Sequence, residues 1–64
     1  MNPKPDMFKL YEDEAMDKVY CWIEQESSIM LKAVCGNDPV EMQAEEVREL
    51  AIALLEMADW LDAN

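Results

Sequence analysis

The last third of the chain, residues 43–61, constrains the fold most because it has the periodicity of one long amphipathic helix. We take Val47 as the origin and advance 100° per residue, the turn angle of an α-helix. The residues within about 60° of that origin then form an apolar stripe of the kind that faces a protein core. We predict that this stripe packs on the chain's own sheet. Its members are Leu50, Ala51, Leu54, Ala58 and Leu61.

The apolar surface of this helix is wider than packing on one sheet requires. Met57, Ala53 and Trp60 extend it on one side, and Leu55 and Ile52 extend it on the other. The resulting arc is about twice the roughly 100° that a core-facing helix needs. We therefore predict that something besides the chain's own sheet covers the remainder. The clearly polar side consists of Glu45, Arg48, Glu49, Glu56 and Asp59.

Two segments upstream of the helix have the alternating pattern of β-strands. Residues 18–24 are rich in β-branched and aromatic side chains, and residues 29–35 form the return strand of a hairpin. A three-residue loop centred on Ser27 or on Ser28 would join them, and both registers place the same side chains on one face. We assign that face to the helix. Its members are Val19, Cys21, Ile23, Leu31 and Ala33.

The remaining elements complete an α+β fold. Residues 7–12 are predicted to form a strand, and the alternative is a helix that Asp6 caps and that ends at residue 16. Residues 40–42 suit a further short strand. The prediction is a small antiparallel sheet of three to four short strands packed against one long C-terminal helix. Residues 1–6 are predicted to be a flexible N-terminal segment, and residues 7–64 a single α+β domain.

The length and charge of the chain limit its partners. A chain of 64 residues buries only about 60% of the surface that its unfolded state exposes, so small domains usually need additional stabilisation. Two cysteines and no histidine provide neither a disulfide framework nor a zinc site, so we predict a homodimer. The formal net charge of −10 argues against direct binding to nucleic acid or an anionic membrane. A cytoplasmic location is predicted from the polar start and the two free thiols.

The sequence contains no recognisable catalytic or metal-binding motif. Nucleophilic catalysis needs a serine or cysteine beside a base, and Ser27 and Ser28 lie in the predicted hairpin turn of a chain without histidine. Cys21 and Cys35 are predicted to be buried free thiols. The acidic clusters lack the alternating spacing of a calcium loop. We therefore predict that the protein is not an enzyme and has no cofactor or metal.

Several short motifs resemble a group of small uncharacterised bacterial proteins. The motifs are E-Q-x-x-S-I-x-L-K-A from Glu24 to Ala33, D-P-V-E from Asp38 to Glu41, and the helical pattern that begins at Glu45. The resemblance covers roughly residues 18–61 and implies a β-hairpin followed by a C-terminal helix. Members of this group often have serine or threonine at the position of Gln43 and glycine near Glu26 or Ser27, and this chain differs from them at both places. The group supplies no established activity.

The apolar residues outside the predicted core indicate an interface. Aromatic side chains are favoured in the buried centres of such surfaces. We predict a small acidic protein–protein interaction module that acts as a homodimer and has another protein as its alternative partner. The competing hypothesis is an acidic decoy, immunity-like or DNA-mimicking, that uses Glu41, Glu45, Glu49, Glu56 and Asp59 to block a basic nucleic-acid-binding protein. The candidate interface residues are Tyr20, Trp22, Met30, Val34, Ile52, Leu55, Met57 and Trp60.

Overall fold

The computed structural model describes residues 3–11, 18–34 and 39–63 and has the predicted α+β architecture. Its elements are strands β1 (Phe8–Tyr11), β2 (Lys18–Glu24) and β3 (Ser28–Val34), followed by helix α1 (Ala44–Ala63). The strands form one antiparallel sheet in the order β1-β2-β3, so β2 is central and the other two lie at the edges. The helix crosses one face of this sheet and contacts all three strands.

The register of the sheet confirms the predicted division of its faces. Cys21 of β2 lies between Phe8 of β1 and Leu31 of β3, and Val19 lies between Leu10 and Ala33. Directly opposite residues of antiparallel strands point to the same face. The apolar residues of the three strands therefore form rows that run across the sheet on the face beneath the helix. The strand alternative for residues 8–11 is confirmed, and residues 12–16 of the helical alternative lie outside the described residues.

The loop between β2 and β3 is centred one residue before the nearer of the two predicted positions and two residues before the other. Ile23 pairs with Ile29 and Glu24 pairs with Ser28, so the loop is centred on Glu26. The Ser27 N–H donates a hydrogen bond of 3.1 Å to the Glu24 carbonyl oxygen. Gln25 and Glu26 both have positive φ angles, 50° and 56°. Both predicted registers were wrong because the residues of this turn do not include a glycine that would mark its position in the sequence. Two non-glycine residues take the left-handed conformation instead.

Replacing Glu26 by glycine is expected to stabilise the protein. A left-handed conformation costs an L-residue roughly 1–2 kcal/mol, whereas glycine adopts it without a steric penalty. Glycine also has more freedom in the unfolded chain, so the net gain of Glu26→Gly should be about 0.5–1 kcal/mol. Ser27→Gly is the control, because Ser27 has no positive φ to relieve and should lose stability. Urea unfolding measures both variants, and equal effects would contradict this account of the turn.

The start of α1 has one of the two hydrogen bonds of a capping box, the one from the backbone of the N-cap residue to a glutamate side chain. The Gln43 N–H donates a 2.7 Å hydrogen bond to Oε1 of Glu46, which occupies the third helical position. The first helical turn is acidic, with Glu45 and Glu46 at the positive end of the helix dipole. Glu46 thus compensates for the missing serine or threonine cap. The predicted short strand at residues 40–42 was wrong, because residues 39–43 contain no strand.

The buried face of α1 is centred on Met57 rather than on Val47. Met57 is 1% exposed and packs with Trp60 against Cys21 and Ile23 of the central strand. Met57 lies about 80° around the helix from Val47 at 100° per residue. Leu50, Leu54 and Leu61 of the predicted stripe still pack on this core, but Ala51 and Val47 are exposed. The buried core consists of Val19, Cys21, Ile23, Met57 and Trp60.

Candidate protein-interaction surfaces

Exposed apolar side chains occur on β3, which is an edge strand, and on α1, which crosses the same face of the sheet. Leu31 of β3 shares a sheet face with buried Cys21 and Ile23, yet 56% of it is exposed. On the helix, Val47 and Leu55 are 48% and 64% exposed, and they share with Ala51 an i, i+4, i+8 spacing that aligns them along one side. We call these side chains the β3-edge patch. It comprises Leu31, Ala33, Val47, Ala51 and Leu55.

The flank of α1 that carries this patch is identified by what lies on the other flank. Trp60, Glu56 and Asp59 line an open groove of about 250 Å³ together with Pro3 and Pro5. The two prolines belong to the segment that leads directly into β1, which is the opposite edge strand from β3. The Trp60 side of the helix therefore lies towards β1. The other side, which carries the helical residues of the patch, lies towards β3.

The open face of the sheet, on the far side from the helix, is a second surface. Tyr20 and Trp22 are half-buried there, and Met30, paired with Trp22, is 43% exposed. The Trp22 Nε1–H donates a 2.8 Å hydrogen bond to Oε1 of Glu24. Lys9 and Lys32 stand on either side of Tyr20 in the register. This face is consequently mixed, because its aromatic rings lie among charged groups.

Acidic side chains follow the side of α1 that lies towards β1 and solvent. Glu45, Glu49 and Glu56 fall within about 40° of one another around the helix, and Asp59 lies beside them. All four are exposed, and so is Glu41 before the helix. The row spans about 21 Å at a rise of 1.5 Å per residue. Glu45, Glu49 and Glu56 thus lie on the opposite side of α1 from Val47, whereas Asp59 follows the patch residue Leu55 by one helical turn.

The structure divides the predicted interface residues into two groups. Tyr20, Trp22 and Met30 lie on the open face, and Ile52 and Leu55 are exposed on the helix. The prediction that Met57 and Trp60 lie outside the chain's own core was wrong, because both are buried against the sheet. The side chain of Val34 lies outside the described part of the chain.

Sequence reasoning missed Leu31 and Val47 as surface residues. Both were assigned to the core because their positions fit its periodicity. A signal was present, since one helix cannot cover every strand of a sheet of three or four strands equally. Edge position, rather than periodicity, decides the exposure of Leu31.

Cys21 is a buried free thiol and is wholly shielded from solvent. Its burial raises the pKa of the thiol by desolvating the thiolate, which is the reactive form. Cys35, which was likewise predicted to be a buried free thiol, lies outside the described residues. Within residues 3–11, 18–34 and 39–63 no three metal-ligating side chains of the His, Cys, Asp or Glu type come together.

We expect the Cys21 thiol to react slowly with a disulfide reagent at pH 8 in a Cys35→Ala variant. The native rate should be at least about 100-fold below that of the unfolded chain, because reaction requires opening of the core. Because the folded pKa is raised, this group's stabilisation is complete below the unfolded pKa of about 8.5 and is lost as the pH rises through the folded value. A native rate equal to that of a free thiol would show that Cys21 is accessible.

Comparison of the chain with protein-family models, curated proteins and solved structures gave no match. In the described part of the chain, α1 is interrupted by too many charged residues to qualify as a membrane-crossing helix.

Proposed function

We propose that this protein is a small acidic protein–protein interaction module that acts as a homodimer and has no catalytic activity. The observation that carries the proposal is the exposure of Leu31, Val47 and Leu55 beside a core of very few buried residues. A surface region with several large exposed apolar side chains is more often an interaction site than a region that simply faces solvent. A further protein that covers the same patch is the alternative partner.

The size of the exposed surface supports a partner of substantial area. The chain exposes 5023 Å², whereas a compact monomer of 7.4 kDa should expose about 4200 Å². The radius of gyration of 12.7 Å likewise exceeds the value of about 10.7 Å for a compact domain of this length. Both values describe a chain that is more extended than a compact monomer, and a standard interface would cover about 800 Å² of its surface.

We propose a protein without catalytic activity because of the residue types that its sequence contains. The chain has no histidine to act as a general base. The Ser27 hydroxyl donates a 3.4 Å hydrogen bond to the Glu24 carbonyl oxygen, which is a turn contact. The thiol of Cys21 is buried and kept protonated. These groups support a binding role rather than a chemical one.

The exposed acidic row favours a second candidate function, the decoy that blocks a basic nucleic-acid-binding protein. Its support is the alignment of Glu45, Glu49 and Glu56 on one side of α1. Binding through such a row would be electrostatic and therefore weakened strongly by salt. Binding to basic proteins that are retained on heparin, lost at moderate salt, is the result that the decoy requires. We rank it second because a solvated helix face has the same appearance.

Sedimentation equilibrium of the wild type tests the proposed module. We expect a mass of twice 7.4 kDa at high micromolar concentration, with similar association at about 0.1 M and 1 M salt because apolar contacts are not screened. A chain that remains monomeric throughout this range would contradict the homodimer. The patch would then belong to a different protein partner.

A further inference from the structure

The outer edge of β3 has the features of a strand that accepts another strand. β3 spans seven residues, and in the described part of the chain β2 is its one strand neighbour. An edge strand presents a row of backbone N–H and C=O groups that can pair with a further chain. Beside this row, Leu31 exposes more than half of its surface on the helix side of the sheet. Both backbone and side-chain groups are therefore available at the same place.

We propose that two copies of the chain pair antiparallel through β3 to form a continuous six-stranded sheet with both helices on one face. This inference rests on the proposed homodimer and specifies its interface. A second copy is the occupant that the edge fits, because an antiparallel pair of identical strands is related by a two-fold axis and so closes as an isologous dimer. The chain also exposes more surface than a compact monomer of its mass, so surface remains for a second copy to cover.

The alternation of side chains selects the register. Directly opposite residues share a face, so a two-fold axis through a residue, rather than between residues, keeps the two helices on the same side. An axis at Leu31 pairs all seven residues, from Ser28 to Val34. An axis at Lys32 would place two ammonium groups directly opposite each other, which is unfavourable. The Leu31 register instead places Lys32 opposite Met30 of the second copy.

The spacing of the layers fits this arrangement. Each helix lies across the sheet around the central strand, and two central strands would be separated by three strand spacings of about 4.8 Å, or about 14 Å. Packed helices lie 8–10 Å apart, so a gap of about 5 Å remains between the helices. Leu55, about 160° from Met57, lies at the solvent margin of this gap, and Leu31, Ala33 and Val47 of both copies face it. They would form a second core that neither copy has alone.

The charges are arranged so that two acidic chains can approach. The acidic row of Glu45, Glu49 and Glu56 lies on the opposite side of α1 from the patch. The patch side carries two exposed carboxylates towards the end of α1: Asp59, which is four residues after Leu55, and Asp62, at about 60° from Val47. The rows of the two copies therefore point away from each other in the dimer, where solvent and salt screen them.

The first test places a charge at the centre of the pairing. Leu31→Lys is expected to weaken dimerisation on the order of 100-fold, because two buried leucines are replaced by opposed charges. The variant should remain folded by circular dichroism, since Leu31 is largely exposed in the single chain. Ile52→Lys is the matched control: Ile52 is 57% exposed on the solvent side of α1 and should dimerise as the wild type does.

The second test reads the register without destabilising the edge. Opposed residues of antiparallel strands have Cα atoms about 4.5–5.5 Å apart, within the range that a disulfide spans. Because Cys21 lies opposite Leu31 within the chain, Leu31→Cys is made in a Cys21→Ala, Cys35→Ala background, where it should give a disulfide-linked dimer in a glutathione redox buffer. Ile52→Cys in the same background should not. This result holds even if Leu31→Lys fails to fold.

The outcomes separate this inference from the proposed function. A dimer that Leu31→Lys leaves intact, that Leu31→Cys does not cross-link and that Met30→Lys dissociates would overturn β3 pairing in favour of the open sheet face. The proposed homodimer would survive that result. A monomeric wild type would overturn both.

Discussion

Met57→Ala is expected to cost about 3 kcal/mol of the free energy of unfolding. Met57 is 1% exposed at the centre of the contact between α1 and the central strand, and truncating a buried methionine leaves a cavity that the small core cannot fill. A domain of 64 residues has a total stability of roughly 3–10 kcal/mol. The variant should therefore be largely unfolded or have a much lower urea midpoint.

Ile52→Ala is the matched control for Met57→Ala. Ile52 lies five residues earlier on the same helix but is 57% exposed, so its truncation should change stability by no more than about 0.5 kcal/mol. Both variants are compared by urea unfolding at one protein concentration, because dimerisation adds to apparent stability. Equal losses in the two variants would contradict the observed rotation of the helix on the sheet.

Trp60→Ala is expected to have an effect of the same size, and Trp22→Ala a much smaller one. Trp60 is 7% exposed and packs in the core, where replacing a tryptophan by alanine costs about 3–5 kcal/mol. Trp22 is half-buried on the open face, and its hydrogen bond to Glu24 contributes about 1 kcal/mol. Far-UV circular dichroism follows unfolding in both variants without relying on the missing fluorophore.

The two tryptophans were equivalent in the sequence, so this pair is a sharp test of the structure. Each was predicted to lie off the chain's own core. A larger loss from Trp22→Ala than from Trp60→Ala would place the core on the open face of the sheet. The structure places it under the helix.

The order and type of the elements were predictable because side-chain alternation marks the short strands and helical periodicity marks one long segment after them. The strand at 18–24 and the division of its faces follow from side-chain alternation alone. The two predicted registers and the observed one differ by an even number of residues, which leaves each side chain on the same face. The register itself was not predictable. The turn at Gln25 and Glu26 uses positive φ angles at residues that give no sign of them in the sequence.

The rotation of α1 was not predictable for a different reason. Its apolar arc is about twice the width that one sheet covers, so periodicity defines the arc but not the half that is buried. The structure buries the half with the larger side chains, Met57 and Trp60, and exposes the half with Val47 and Ala51. The same ambiguity moved Met57 and Trp60 out of the candidate interface and brought Val47 into it, whereas Leu31 is exposed because β3 is an edge strand.

Residue-resolved amide exchange by NMR tests most directly whether a second copy covers the β3 edge. Spectra are compared at protein concentrations well above and well below the dissociation constant of the dimer. The account predicts that alternate amides of β3, those directed away from β2, become at least about 10-fold more protected at high concentration, while β1, the other edge strand, is unchanged. Unchanged exchange along β3 in a sample shown to be dimeric would contradict it.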